Sequence, residues 1–294
     1  MRIDKLKSYC SLVLFAFVIL FSSFAQATVG KRYSVDSINQ FQKIITSQSK
    51  MFSPQDTLVI FDIDHTLLHP KGAVGSSYWF KWQAALLKTR EIESQQLAKN
   101  ATDLGNLTCR LFEVLPFETV ESDTTPAFDA IVNQGFPVML LTARSPQLLH
   151  GTLSQLNENG FDILKLSQAP DLPKKINLNS SEMHEAQITK LKNTSYNPKG
   201  LMMTNEQDKG VVLRAYLNKA GVHYKNIILI DDGEKNIHSL QAAFKVDSQT
   251  AVTTFLYMRD IAKFKGFDTK QQQLAAAEYS QIKPQVDVQK CPAH

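Results

Sequence analysis

Residues 57–68 read Thr-Leu-Val-Ile-Phe-Asp-Ile-Asp-His-Thr-Leu-Leu. A breaker, Ser53-Pro54, precedes a five-residue run of β-branched and large apolar side chains, and a carboxylate ends it. That pattern predicts a short strand buried on both faces. The same design recurs along the chain: residues 136–141 run into Thr142-Ala143-Arg144, and residues 226–230 run into Asp231-Asp232. Residues 200–203 and 251–257 are further apolar runs, and helical spacing fills 37–48, 126–133, 148–159, 211–219 and 234–244. Strands alternating with helices predict an α/β fold, a parallel sheet with helices on both faces. Such sheets bind ligands at the carboxyl ends of their strands. Asp62, Asp64, Thr142, Asp231 and Asp232 all fall there.

Residues 69–122 interrupt the alternation with a mostly helical segment containing Tyr78, Trp79, Phe80 and Trp82. Because it follows the first strand directly, it reads as a small cap over the same sheet edge, inserted into a core made of residues 28–68 and 123–294. Trp79, Phe80 and Trp82 are expected to form the cap's own core; the alternative is a stacking wall for a nucleobase or an aryl leaving group. Residues 162–198 are polar and contain Pro170, Pro173 and Pro198, which reads as a long loop or a second small insertion.

The chain has 294 residues, 43% hydrophobic and 20% charged, enough to bury a full core and unlike a disordered tail. Its 32 basic against 28 acidic residues leave a formal charge of +4, too little to imply a polyanion partner. Lys174-Lys175 and the pair Lys263 and Lys265 read as solvated surface, so no nucleic-acid groove is expected. Residues 1–27 carry Arg2, Lys5 and Lys7, then the apolar run 11–24, then Ala25-Gln26-Ala27. This is the pattern of a cleavable signal peptide cut after Ala27, and the run is shorter than the about 20 residues a spanning helix needs. The mature chain is therefore expected in the periplasm or outside the cell, without a membrane span. Loss of Cys10 leaves Cys109 and Cys291, either as a disulfide or as two separate thiols.

Two carboxylates at i and i+2 of an extended chain project to the same side. Brought together with Asp231 they repel unless a cation lies among them, and an all-oxygen site with few protein ligands suits Mg²⁺. One carboxylate can then act as a nucleophile on phosphorus while the other moves a proton.

The stretch Val59-Ile-Phe-Asp-Ile-Asp-His-Thr-Leu-Leu68 resembles the first motif of the haloacid dehalogenase superfamily in its phosphatase form. Thr142, then Lys209 in Asp208-Lys209-Gly210, then Asp231-Asp232 follow in that superfamily's order. The early aromatics are similar to those of its secreted acid-phosphatase branch. The resemblance implies a Rossmann-like core, with Asp62 as nucleophile and Asp64 as general acid and base. Thr142, Ala143 and Lys209 would hold the phosphate, with Lys192 or Lys199 as competitors for the lysine's place. Asp62, Asp231 and the backbone carbonyl of Asp64 would bind Mg²⁺, supported by Asp232 or Asn236.

The activity so implied is hydrolysis of a small phosphate monoester through an aspartyl-phosphate, or phosphotransfer if an alcohol replaces water. The rival from another class is a non-catalytic binding protein on the same fold. His65 departs from the family pattern, which commonly has a small residue such as glycine there. It either contacts the leaving group or fills space. His69, His150, His184, His223, His238 and His294 show no paired metal spacing, so zinc is not expected.

Overall fold

A computed structural model describes residues 30–47, 51–89, 95–163, 166, 195–197, 200–245, 247, 249–261 and 267–291. The expected signal peptide, Lys192, Lys199 and most of the proline-bearing segment 162–198 lie outside the described residues.

The central sheet runs in the order β1-β9-β8-β2-β5-β7-β6. Its strands are β1 (Arg32–Val35), β2 (Thr57–Phe61), β5 (Val138–Thr142), β6 (Ser195–Asn197), β7 (Leu201–Met203), β8 (Asn226–Asp231) and β9 (Ala251–Tyr257). All pair in parallel except β6, which runs antiparallel to β7 at the edge. The fold is α/β and Rossmann-like, as its alternation predicts.

Alternate residues of β2, β5 and β8 face opposite sides, and both sides are apolar. Val59, Phe61, Leu140 and Ile230 pack with Phe41 and Ile45 of α1 (Ile38–Ser47) and Phe128 and Ile131 of α4 (Thr124–Asn133). Leu58, Ile60, Leu141 and Leu229 pack instead with Leu213 and Tyr216 of α6 (Lys209–Ala220) and Ile237 and Leu240 of α7 (Glu234–Phe244). This two-sided burial explains why the strands read as continuous apolar runs. Helix α5 (Leu149–Glu158) follows β5.

The insertion holds α2 (Ser77–Leu86) and α3 (Ala101–Phe112), and its base is a hairpin of β3 (Leu68–Pro70) and β4 (Phe117–Thr119). Its apolar centre contains Trp79, Leu104, Leu107 and Leu111, and is completed by Ala275, Tyr279 and Val286 of the C-terminal helix α8 (Thr269–Val288). No pattern in the sequence marks a role for α8. Glu278 of that helix accepts hydrogen bonds from the backbone N–H groups of Ala73 and Val74, and Cys109 is disulfide-bonded to Cys291 just past its end. Among the described residues, no helix is long and apolar enough to cross a membrane.

Candidate active site

The parallel register brings the ends of β2, β5 and β8 to one edge: Phe61 stands opposite Ile230, and Ile60 opposite Met139. The chain leaves β2 in a tight loop in which Thr66, Leu67 and Leu68 all donate to the carbonyl of Ile63. Asp62 and Asp64 flank that residue.

Lys209 stands at the first turn of α6, where Asp208 caps the helix by accepting from the Val211 N–H at 2.9 Å. Gly210 explains how the helix start comes so close to α7, since a Cβ there would lie 2.3 Å from the carbonyl oxygen of Ser239. The buried Lys209 ammonium donates to Asp62 Oδ1 at 2.6 Å and to Asp231 Oδ2 at 2.7 Å. Asp231 Oδ1 accepts from the Gly233 N–H at 2.7 Å and from Asn236 Nδ2 at 2.9 Å.

Oxygens of Asp62, Asp231 and Asp232 lie within 4.8 Å of one another. Burial and the Asp231 charge together push the Asp62 carboxyl up to about 7, even against the opposing pull of Lys209. Burial, then the charges of Asp231 and Asp62, also raises Asp232 well above the usual carboxylate range. Three carboxylates facing one ammonium leave a surplus of negative charge, and the donor set is all oxygen. These residues fit a hard divalent cation such as Mg²⁺.

Asp64 lies outside that trio, because Arg144 grips its carboxylate with two bonds, Nε to Oδ2 at 2.9 Å and Nη2 to Oδ1 at 2.8 Å. Nη1 of the same guanidinium donates to Thr152 Oγ1 and Gln155 Oε1, both at 2.9 Å. Phe112 and Phe117, from the insertion, cover it with ring centroids 4.6 and 5.4 Å away. Burial alone would raise the Asp64 carboxyl, but the charge and hydrogen bonds of Arg144 outweigh it and the net shift is downward. Asp64 is therefore held ionised, the proton-accepting half of the acid-and-base role in the sequence reading.

Arg144 itself carried no role in that reading, although it directly follows Thr142-Ala143. Thr142 is fully buried and accepts from the Arg144 N–H at 3.2 Å through its side chain, while its carbonyl accepts from the Thr204 N–H at 2.9 Å. The Ala143 carbonyl accepts from the Glu206 N–H at 2.8 Å, so the loops after β5 and β7 are tied side by side.

His65 has φ of 61°, in the left-handed region that glycine occupies without strain. Its Nδ1 lies 2.9 Å from Asp260 Oδ2, and its ring meets Tyr78 of α2 edge-on at 5.1 Å. Asp260 Oδ2 is also 2.5 Å from Nδ1 of His69. His65 and His69 stand four residues apart in the sequence, a spacing that could have marked them, but Asp260 is 191 residues from His69 and lies beyond the end of β9. Trp79 is fully buried in the cap and cannot be a substrate wall; Tyr78, one residue earlier, meets His65 beside the site.

Neither a curated protein nor a solved structure matches the chain. One family does, described as "Protein of unknown function (DUF2608)", over residues 34–290. That span takes in the whole sheet beyond β1, the insertion, the acidic trio and α8, and on it the chain belongs to the DUF2608 family.

Proposed function

We propose that this protein is an exported, Mg²⁺-dependent phosphomonoesterase that works through an aspartyl-phosphate on Asp62. The observation that carries this reading is the buried Lys209 ammonium bridging Asp62 and Asp231 at the carboxyl edge of a parallel sheet, with Asp232 beside them. Export is supported by the sequence of residues 1–27 and by the Cys109–Cys291 disulfide, a bond that persists in oxidising compartments.

A bound Mg²⁺ supplies charge neutralisation for an incoming phosphate. The remaining work falls to the chain's own residues. Lys209 fixes the Asp62 carboxylate and adds positive charge where phosphoryl oxygens arrive. An oxygen of Asp62 forms the new bond to phosphorus as the bond to the ester oxygen breaks.

In this mechanism Asp64 gives that oxygen its proton and later takes one from the water that releases phosphate. The Arg144 fork first has to yield, and an incoming phosphate dianion competes for the same guanidinium. As the fork opens, the largest influence lowering the Asp64 carboxyl is lost, burial favours its protonated form, and the carboxyl takes from solvent the proton it then donates. The cap covers the edge and excludes water during the first step.

Rapid acid quenching after mixing with a radiolabelled phosphate ester tests the covalent step. Wild-type chain is expected to carry an acid-stable, hydroxylamine-labile label that Asp62→Asn lacks. Turnover of the ester with no label on the wild type, or with equal label on both, contradicts the mechanism.

A further inference from the structure

The buried cluster of His65, His69 and Asp260 is separate from the acidic trio and has a different donor set. One ligand atom from each of the three residues lies within 4.8 Å of the others, and their side chains are 2%, 6% and 4% exposed. Both Nδ1 atoms converge on the same oxygen, Asp260 Oδ2, at 2.9 and 2.5 Å.

His69 carries the decisive detail. Its Nε2 lies 3.3 Å from Glu118 Oε1, its cross-strand partner in the β3–β4 hairpin, so the ring faces a carboxylate oxygen from each nitrogen. A neutral imidazole has one N–H and one lone pair. If the N–H points at Glu118, the Nδ1 lone pair faces the Asp260 oxygen, and a metal ion or a second ring proton has to lie between these two acceptors. The partnership of Glu118 with the outer nitrogen is also how carboxylates orient metal-bound histidines.

The geometry points to a second metal site, in which His65 Nδ1, His69 Nδ1 and Asp260 Oδ2 hold a transition metal ion of the Zn²⁺ class, with Glu118 as the outer partner of His69. Two imidazoles and one carboxylate suit Zn²⁺, whereas Mg²⁺ takes oxygen ligands. Tetrahedral Zn²⁺ with ligand bonds near 2.0 Å needs donors about 3.3 Å apart. The two nitrogen–oxygen distances have only to lengthen by less than about 1 Å to reach that spacing. The ion would fasten the catalytic loop through His65, the cap hairpin through His69, and the chain beyond β9 through Asp260. Zn²⁺ binding there does not require that the chain be a phosphatase.

The test uses the mature chain without a histidine tag, in saturating Mg²⁺ so that the acidic trio is occupied, with Zn²⁺ titrated against a chromogenic chelator. One Zn²⁺ per chain is expected. Glu118→Gln should weaken binding by about tenfold or more. Asp260→Asn and His69→Gln should weaken it further, and Asp231→Asn should leave the stoichiometry unchanged. Zinc X-ray absorption of the wild type gives a reading that needs no variant, and two imidazoles in the coordination shell are expected. No stoichiometric Zn²⁺ binding, a shell of oxygens alone, or loss of the ion on Asp231→Asn overturns the proposal.

Discussion

Ionisation of Asp62 runs against its surroundings: burial and Asp231 raise its carboxyl to about 7, above the ordinary value of 3.8. The folded protein thus prefers Asp62 protonated. In the absence of metal, its contribution to stability is present below pH 3.8, declines as pH rises towards 7, and is spent above that. A divalent cation reverses the preference. The rise in melting temperature on adding Mg²⁺ is therefore expected to be larger at pH 8 than at pH 5. Equal rises at both would argue against a metal at the acidic trio.

Arg144 sets the opposite bias at Asp64, and its removal strands a carboxylate that is 23% exposed. Arg144→Ala should destabilise by about 3 kcal/mol, read from the denaturation midpoint in urea. Arg144→Lys should recover only part of this, because an ammonium cannot reproduce the two-bond fork. Full recovery by lysine would show that charge alone matters there.

At the scale of elements, the cap separates packing from contact with the site. Trp79 is fully buried between α2, α3 and α8, so Trp79→Ala should cost roughly 3–5 kcal/mol without changing preference among phosphate esters. Tyr78 is half-buried beside His65, and burial together with the charges of Asp232 and Asp260 raises its hydroxyl above the usual range. Tyr78→Ala should change the ratio of KM for aryl against sugar phosphates while leaving melting nearly unchanged. An unaltered ratio would remove Tyr78 from substrate choice.

The disulfide ties the other end of the cap assembly, linking α3 to the chain just past α8 across 182 residues. In the chain-entropy model, closing so long a loop stabilises by about 5 kcal/mol. Cys291→Ser should lower the melting temperature and expose the 269–288 segment to proteolysis before the sheet unfolds. Simultaneous loss of both would show that α8 and the sheet unfold as one unit.

Across the whole molecule, what could be read in advance followed the physics of local patterns. β2, β5 and β8 are buried on both faces, so their central residues are apolar without interruption, and the carboxylates that end β2 and β8 and the threonine that ends β5 stand out against that background. Parallel pairing then brings Asp62, Thr142 and Asp231 to one edge whatever the intervening loops do.

The illegible parts depend on partners distant in sequence. Arg144 gains its meaning from Asp64 across 80 residues, and Asp260 gains its meaning from two histidines across 191 and 195. Helix α8 buries only Ala275, Tyr279 and Val286, too sparse an apolar face to announce where it docks. β1 is a four-residue edge strand with one buried residue, and β3 and β4 have three residues each.

The claim that joins these scales is phosphate-ester hydrolysis by the strand-edge carboxylates. Its most direct test is release of inorganic phosphate from a panel of aryl, nucleoside and sugar monoesters by the purified mature chain, with Mg²⁺ and with EDTA, beside Asp62→Asn. Wild type with Mg²⁺ should hydrolyse at least one ester, while EDTA or Asp62→Asn should abolish turnover with the fold intact by circular dichroism. Hydrolysis that survives EDTA or persists in Asp62→Asn, or a wild type inert towards every ester in the panel, would contradict it.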